Sequence, residues 1–264
     1  MPGALSGIRV IDFTRMQAGP FCAVLLRELG AHVIKVEFRE SGDMVRTIPP
    51  MTGGGEGDLF MMVNRRKKSV TLDLETREAQ KVALDLIAKS DILVENFTRG
   101  TMKKLGLDYK AARKVNPKLI YCSMSGFGRE GPGADLLAFD MVARSMGGLM
   151  SVSGFPGSPP DGCVPPVADM GGGLYAMVTV LTALNHRNRT GEGQHINISM
   201  QDCIQAMSSV EAGSSYLSNG KAPGSIFKMS KAPGNPFKHS SLPGEHDSRI
   251  FGELLDCSEE RIAN

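Results

Sequence analysis

Residues 7–38 read GIRVIDFTRMQAGPFCAVLLRELGAHVIKVEF, and the fold turns on how this stretch divides. GIRVIDFT (7–14) is a β-branched run, and a helical stretch follows near 20–29. That stretch ends at Gly30, where a left-handed C-terminal cap is expected, and AHVIKVEF (31–38) is strand-like again. Strand, helix, strand is the βαβ unit, because parallel neighbours need a crossover between them. Outward from it the alternation continues. SVTLDL (69–74) reads as strand, EAQKVALDLIAKS (78–90) as helix and DILVENF (91–97) as strand. A short helix near 109–115 then precedes KLIYCSMSGF (118–127) as strand. The Gly- and Pro-rich section 146–166 reads as surface loop broken by a short strand. Helix 174–188 and QHINISM (194–200) as strand complete another unit. The predicted class is α/β, parallel βαβ units with helices covering a central sheet.

With 264 residues the chain can bury a sizeable core. A formal net charge of +2 implies no general nucleic-acid footprint, so any basic site must be local. Cys22, Cys122, Cys163, Cys203 and Cys257 are scattered without a CxxC pair, and they read as reduced thiols of a cytoplasmic protein. No stretch approaches eighteen uninterrupted apolar residues, so no membrane span is expected. Residues 221–240 hold a tandem repeat, KAPGSIFKMS then KAPGNPFKHS, which reads as an extended linker or, alternatively, a basic recognition loop. SRIFGELL (248–255) has helical spacing and is expected to dock back on the sheet.

Several motifs invite chemistry. GFGREG (126–131) matches GxGxxG after a predicted strand, but Pro132 and Gly133 follow and no amphipathic helix starts there. A phosphate would lack a helix N-terminus, so a dinucleotide fingerprint is not expected. RMQAGPF (15–21) instead offers backbone amides at a helix start, at the carboxyl edge of a strand, where open α/β sheets bind ligands. NRRKK (64–68) is the densest basic cluster, either a solvated loop or an attraction for a polyanion such as a phosphorylated adenosine. The five histidines lack HxH or HExxH spacing, so no metal site is predicted, and a GxSxG nucleophile elbow is missing. Asp169 remains, in PPVADMGGGLYAM (165–177). It reads as the N-cap of helix 174–188 or as a functional carboxylate. The glycine run weakens the cap reading without settling the choice, because each glycine costs a helix about 1 kcal/mol relative to alanine and three in a row imply a close approach to the backbone.

GIRVIDFT with QAGPF, GAHVIKVE followed by SGD, NRRKKSVTLDL, VENF, SMSGFG, DMGGGLYA, TGEGQHINISMQD and LPGEHD together resemble the class III CoA-transferase family, also called CaiB/BaiF. The resemblance implies a Rossmann-like large domain at 1–218 and a segment at 242–264 that returns to it. It also implies that the linker at 219–241 stands in place of a small domain, whose glycine-rich loop covers the active site in the family. Two chains would form an interlocked homodimer. The implied reaction moves coenzyme A from an acyl-CoA to a carboxylic acid, with no tightly bound cofactor. Asp169 would be the covalent nucleophile, passing through an aspartyl-acyl anhydride and an aspartyl-CoA thioester. Gln17 would serve catalysis and, with Ala18, lie by CoA or the reacting carbonyl. Leu72, Asn96 and Phe97 would line the adenine and pantetheine path, with Phe139 also against CoA. The glycines beside Asp169 would leave room for the acyl group.

Departures from the family pattern bear on binding. Phe38 stands where some transferases have a CoA-contacting arginine, with Arg39 next to it as a substitute. Glu75 occupies a place often held by lysine, and Lys104 replaces an arginine, keeping the charge but losing the bidentate fork. The racemase branch of the family supplies a histidine at the position of Phe139, and phenylalanine cannot exchange a proton. The rival to an active transferase is a catalytically impaired fragment that keeps a CoA-binding or dimerisation role.

Overall fold

The computed structural model describes residues 3–51, 53–153, 157, 165–208, 225–234, 241–255, 257 and 261. In chain order its elements are β1 (Arg9–Asp12), α1 (Ala18–Glu28), β2 (His32–Glu37), α2 (Asp58–Asn64), β3 (Lys68–Thr71), α3 (Arg77–Ala88), β4 (Ile92–Glu95) and α4 (Thr101–Lys104). There follow α5 (Tyr109–Val115), β5 (Ile120–Ser125), α6 (Asp140–Met146), α7 (Leu149–Val152), α8 (Val167–Thr190), β6 (Gln194–Ser199), α9 (Met200–Met207), β7 (Lys228–Met229) and α10 (Asp247–Leu255). The seven strands form one sheet in the order β3-β2-β1-β4-β5-β6-β7. All pairs are parallel except β6 with β7. The α/β expectation therefore holds, and the order of the first six strands is that of a doubly wound Rossmann sheet.

The central strands β1, β4 and β5 are largely apolar on both faces because both faces are covered. Val10, Ile92, Val94, Ile120 and Cys122 point into one core with α1, α8 and α9. Their neighbours Ile11, Leu93 and Tyr121 point into a second core with α3 and α5. Alternation along each strand thus feeds two helical layers. Gly30 takes φ 105° after α1, as the cap reading expected, and Gly191 closes α8 at φ 77°.

Four sequence expectations change. In the section 146–166, expected as loop broken by a short strand, residues 149–152 form α7, a helix turn, and 154–156 and 158–164 lie outside the described residues. The helix expected at 174–188 begins at Val167, so the glycine run lies inside it. Part of the expected linker is strand, since β7 adds Met229 and Lys228 antiparallel to Ile196 and Asn197; residues 209–224 and 235–240 lie outside the described residues. Finally, α10 forms but buries no residue, leaving Leu254 71% exposed, so the expected docking on the sheet is not seen. Amphipathicity alone gives a helix a sticky face without naming its partner.

α8 is long and apolar enough to cross a bilayer by length and composition, with mean hydropathy 1.4, but half of that window is buried in the protein. It is the core helix of one layer, packed on α1, α9 and the sheet.

Candidate active site

Asp169 is the third residue of α8 and does not cap its own helix. Asp140, the first residue of α6, takes that role: its Oδ1 accepts the N–H of Ala168 at 2.8 Å and of Asp169 at 3.1 Å. Oδ2 of Asp140 pairs with the buried Arg144 guanidinium at 2.7 Å. The Asp169 carboxyl is half-buried. Burial, and then the neighbouring Asp140 charge, push it up to about 7 against a smaller downward pull from Arg144.

The glycines do not open space for a ligand, which corrects the reading of the run. A Cβ on Gly173 would meet the Ala18 carbonyl oxygen at 2.8 Å and the Phe21 ring at 2.9 Å, so this glycine lets α8 lie against α1. Gly171 and Gly172 face Met207 and Met200 of α9, each at 3.0 Å from such a Cβ. Close approach to the backbone was the right inference, and the approaching group is another helix.

A cavity of about 860 Å³ opens at the carboxyl ends of the strands and contains Asp169. It is lined from the β1 exit by Arg15, Met16 and Ala18, from the β2 exit by Phe38, from the β4 exit by Asn96 and Phe97, and from the β5 exit by Ser125 and Gly126. Lys104, Glu75, Arg99, Asp135 and the exposed segment 136–139 complete its wall. Such a crevice, between strands β1 and β4 where the strand order reverses, is where open α/β sheets bind ligands.

The structure brings Asp169, Ala18, Asn96, Phe97, Lys104 and Phe139 into this one cavity. It does not bring in Gln17, Arg39 or Leu72. Gln17 is the N-cap residue of α1 and makes no side-chain capping bond. Arg39 is exposed beyond β2, and Leu72 packs its side chain against the second core. Asn96 lines the wall with its amide already engaged: Oδ1 accepts the Arg15 N–H and Nδ2 donates to the Arg15 carbonyl, both at 2.8 Å. That pair fixes the loop after β1, where Met16 holds φ 63°.

Sequence reasoning missed Arg15. Its guanidinium lies 3.8 Å from the centroid of Phe38 and 5.1 Å from that of Phe97, and burial lowers its pKa. Nη2 is buried without a hydrogen-bond partner among the described residues. Phe38, the departure from the family pattern, thus carries an arginine on its face. The only signal was the arginine in RMQAGPF itself.

The basic run NRRKK divides in the structure. Lys67 is buried and bonds Asp12 at 2.8 Å, the Pro20 carbonyl at 3.0 Å and Asn64 at 2.9 Å. Arg65 pairs with Glu28, while Arg66 and Lys68 are exposed. These residues do not line the Asp169 cavity. GFGREG is followed by turns and loop, without a helix. Its Arg129 grips the buried Glu95 carboxylate at 2.6 and 2.8 Å, which anchors the loop after β5. Among the described residues no cluster of metal-ligating side chains occurs.

A doubly wound α/β sheet with a carboxylate at a helix start in its switch-point crevice defines the class: a crevice-binding α/β protein with an acidic centre. The family is more specific. Residues 5–239 match the model of CoA-transferase family III, and the chain belongs to that family. It is 40% identical to the succinate–glutarate CoA-transferase of Agrobacterium fabrum over 83% of this chain and 56% of that protein. It is 39% identical to the acetyl-CoA:oxalate CoA-transferase of Acetobacter aceti, over 84% of this chain and 57% of that one. The solved CAIB/BAIF family protein from Brucella suis superposes with a TM-score of 0.78 at 38% identity, covering 84% of this chain and 60% of that chain. The chain therefore spans little more than half the length of the curated relatives it matches.

Proposed function

We propose that the chain forms the CoA-transfer centre of a class III CoA-transferase, with Asp169 as nucleophile and a dicarboxylic acid as one substrate. The observation that carries this reading is the position of Asp169. It is a half-buried carboxylate in a cavity of about 860 Å³ at the strands' carboxyl edge, in a chain of this family. The dicarboxylate follows from the names of the relatives, which act on succinate, glutarate and oxalate.

An ionised Asp169 oxygen attacks the thioester carbonyl carbon. The C–S bond breaks, CoA leaves as thiolate and an aspartyl-acyl anhydride remains. The thiolate then attacks the Asp169 carbonyl, expelling the donor acid and leaving an aspartyl-CoA thioester. The acceptor carboxylate attacks that thioester to form a new anhydride, and the thiolate returns to the acceptor acyl carbon, which frees Asp169. A carboxylate is a weak nucleophile, so positioning supplies much of the rate. Only the ionised form attacks, and with Asp169 pushed up to about 7 the rate should rise with pH through neutrality.

Phe139 is 68% exposed at the cavity wall and offers no exchangeable proton, which disfavours racemisation. A second copy of the chain is the partner this reading expects. On α8, Met170, Leu174 and Val178 stand four residues apart, and each is more than a third exposed. The buried free thiols of Cys22, Cys122 and Cys203 accord with a cytoplasmic setting.

The test is chromatographic. Mixed with succinyl-CoA and glutarate or oxalate, the protein should produce the new acyl-CoA, and Asp169→Ala should not. Binding of CoA with no exchange across donors and acceptors would instead identify a binding fragment.

A further inference from the structure

We infer that Asp140 is the positioning residue for Asp169: its carboxylate caps the first turn of α8 and holds a negative charge beside the nucleophile. The geometry is unusual for a cap, because the acceptor comes from another helix. Pro166 precedes α8 and makes no side-chain cap, so the first free N–H groups of a 24-residue helix would lack partners without Asp140. One oxygen, Asp140 Oδ1, accepts from Ala168 and from the nucleophile's own N–H. The other oxygen is held by Arg144, whose side chain is 3% exposed. The chain Arg144–Asp140–Asp169 N–H therefore fixes the backbone of the reacting residue from outside its helix.

The same carboxylate is a charge neighbour. Arg144 offsets it in part, and the remaining charged groups on elements packed against α8 are engaged or distant. Arg27 and Glu28 lie at the far end of α1, and Asp202 on α9 bonds Lys228. On β6, His195 bonds Ser123. Across the cavity stand Arg15, Lys104 and Glu75, with Arg99 paired to Asp135. Asp140 is the charge that keeps Asp169 protonated at mildly acidic pH, after burial itself. The cap gives the nucleophile one orientation, and the charge raises its basicity, so that an ionised Asp169 attacks more readily than an ordinary carboxylate.

The inference rests on Asp169 as nucleophile, but its two halves are read without turnover, so failure of the enzyme reading and failure of this one are distinguishable. Two variants separate cap from charge. Asp140→Asn keeps an oxygen for the two N–H groups and removes the charge; Asp140→Ala removes both. Carboxyl carbon NMR titration, with Asp169 assigned by its loss in Asp169→Asn, should show its midpoint falling by about one pH unit in Asp140→Asn. Amide hydrogen exchange at Ala168 and Asp169 should stay slow in Asp140→Asn and accelerate about tenfold or more in Asp140→Ala, while amides in the middle of α8 remain protected. In an active preparation kcat falls in Asp140→Ala with KM for acyl-CoA unchanged. An unmoved Asp169 titration in a folded Asp140→Asn overturns the charge role, and unchanged exchange at both amides in Asp140→Ala overturns the positioning role.

Discussion

Gly173→Ala tests whether the glycine run exists for helix packing. The added methyl would sit 2.8 Å from the Ala18 carbonyl oxygen, 2.9 Å from Phe21 and 3.3 Å from the Cys22 nitrogen. Two of these are backbone atoms of α1, so relief requires the helices to part. Overpacking of this kind costs about 1–3 kcal/mol, and the better helix propensity of alanine returns about 1 kcal/mol. The expected result is a net loss of about 1–2 kcal/mol in a two-state urea titration, seen as a lower midpoint at unchanged slope. Gly171→Ala is the internal control. Its methyl meets only Met207, Sδ at 3.0 Å and Cε at 3.9 Å, the end of a flexible and 47% exposed side chain. That variant should be neutral or gain up to about 1 kcal/mol. If Gly173→Ala is as stable as Gly171→Ala, the close approach of α1 and α8 does not explain the glycines.

Further outcomes follow from the same geometry. Arg15→Ala should weaken CoA binding, measured by calorimetry, by about 10- to 100-fold, the worth of one charge-assisted hydrogen bond of about 1.5–3 kcal/mol; unchanged affinity would remove Arg15 from the site. Lys67→Met strips the buried Asp12 of its ion-pair partner and leaves it to the Thr14 hydrogen bonds and the Lys35 charge, so it should cost about 2–4 kcal/mol, whereas the exposed Arg66→Ala should cost under about 0.5 kcal/mol. Equal effects would mean that NRRKK acts as one surface patch. Because the folded Asp169 titrates near 7, above its ordinary value, its contribution to stability is full below the unfolded pKa and is lost as pH rises through the folded one. Asp169→Asn should therefore melt higher than the wild type at pH 8 and lose that advantage by pH 4; the reverse order would contradict a raised carboxyl.

Much of the fold was legible because a parallel sheet buried on both faces writes itself as short apolar runs. β1, β2, β4, β5 and β6 all fall within the strand readings. The start of α8 was misread because three glycines normally argue against helix, and local propensity carries no information about a neighbouring helix that needs them. α10 shows the opposite limit: its spacing predicts a helix, while docking depends on a surface elsewhere. Asp169, Ala18, Asn96, Phe97, Lys104 and Phe139 were gathered by resemblance, and the fold places them around one cavity. Arg15 and Asp140 were missed as site residues because their roles arise from contacts across long sequence separations, Arg15 with Phe97 and Asp140 with Asp169. Lys67 reads as surface charge in NRRKK, and only the fold sets it against Asp12.

The proposed reaction turns on covalent acylation of Asp169. Acid-quenched protein from a reaction with succinyl-CoA, digested and read by mass spectrometry, tests it directly. An acyl or CoA adduct is expected on the peptide containing Asp169, discharged by hydroxylamine and lacking in Asp169→Asn. CoA exchange that proceeds with no adduct on that peptide, or that persists in Asp169→Asn, would contradict it.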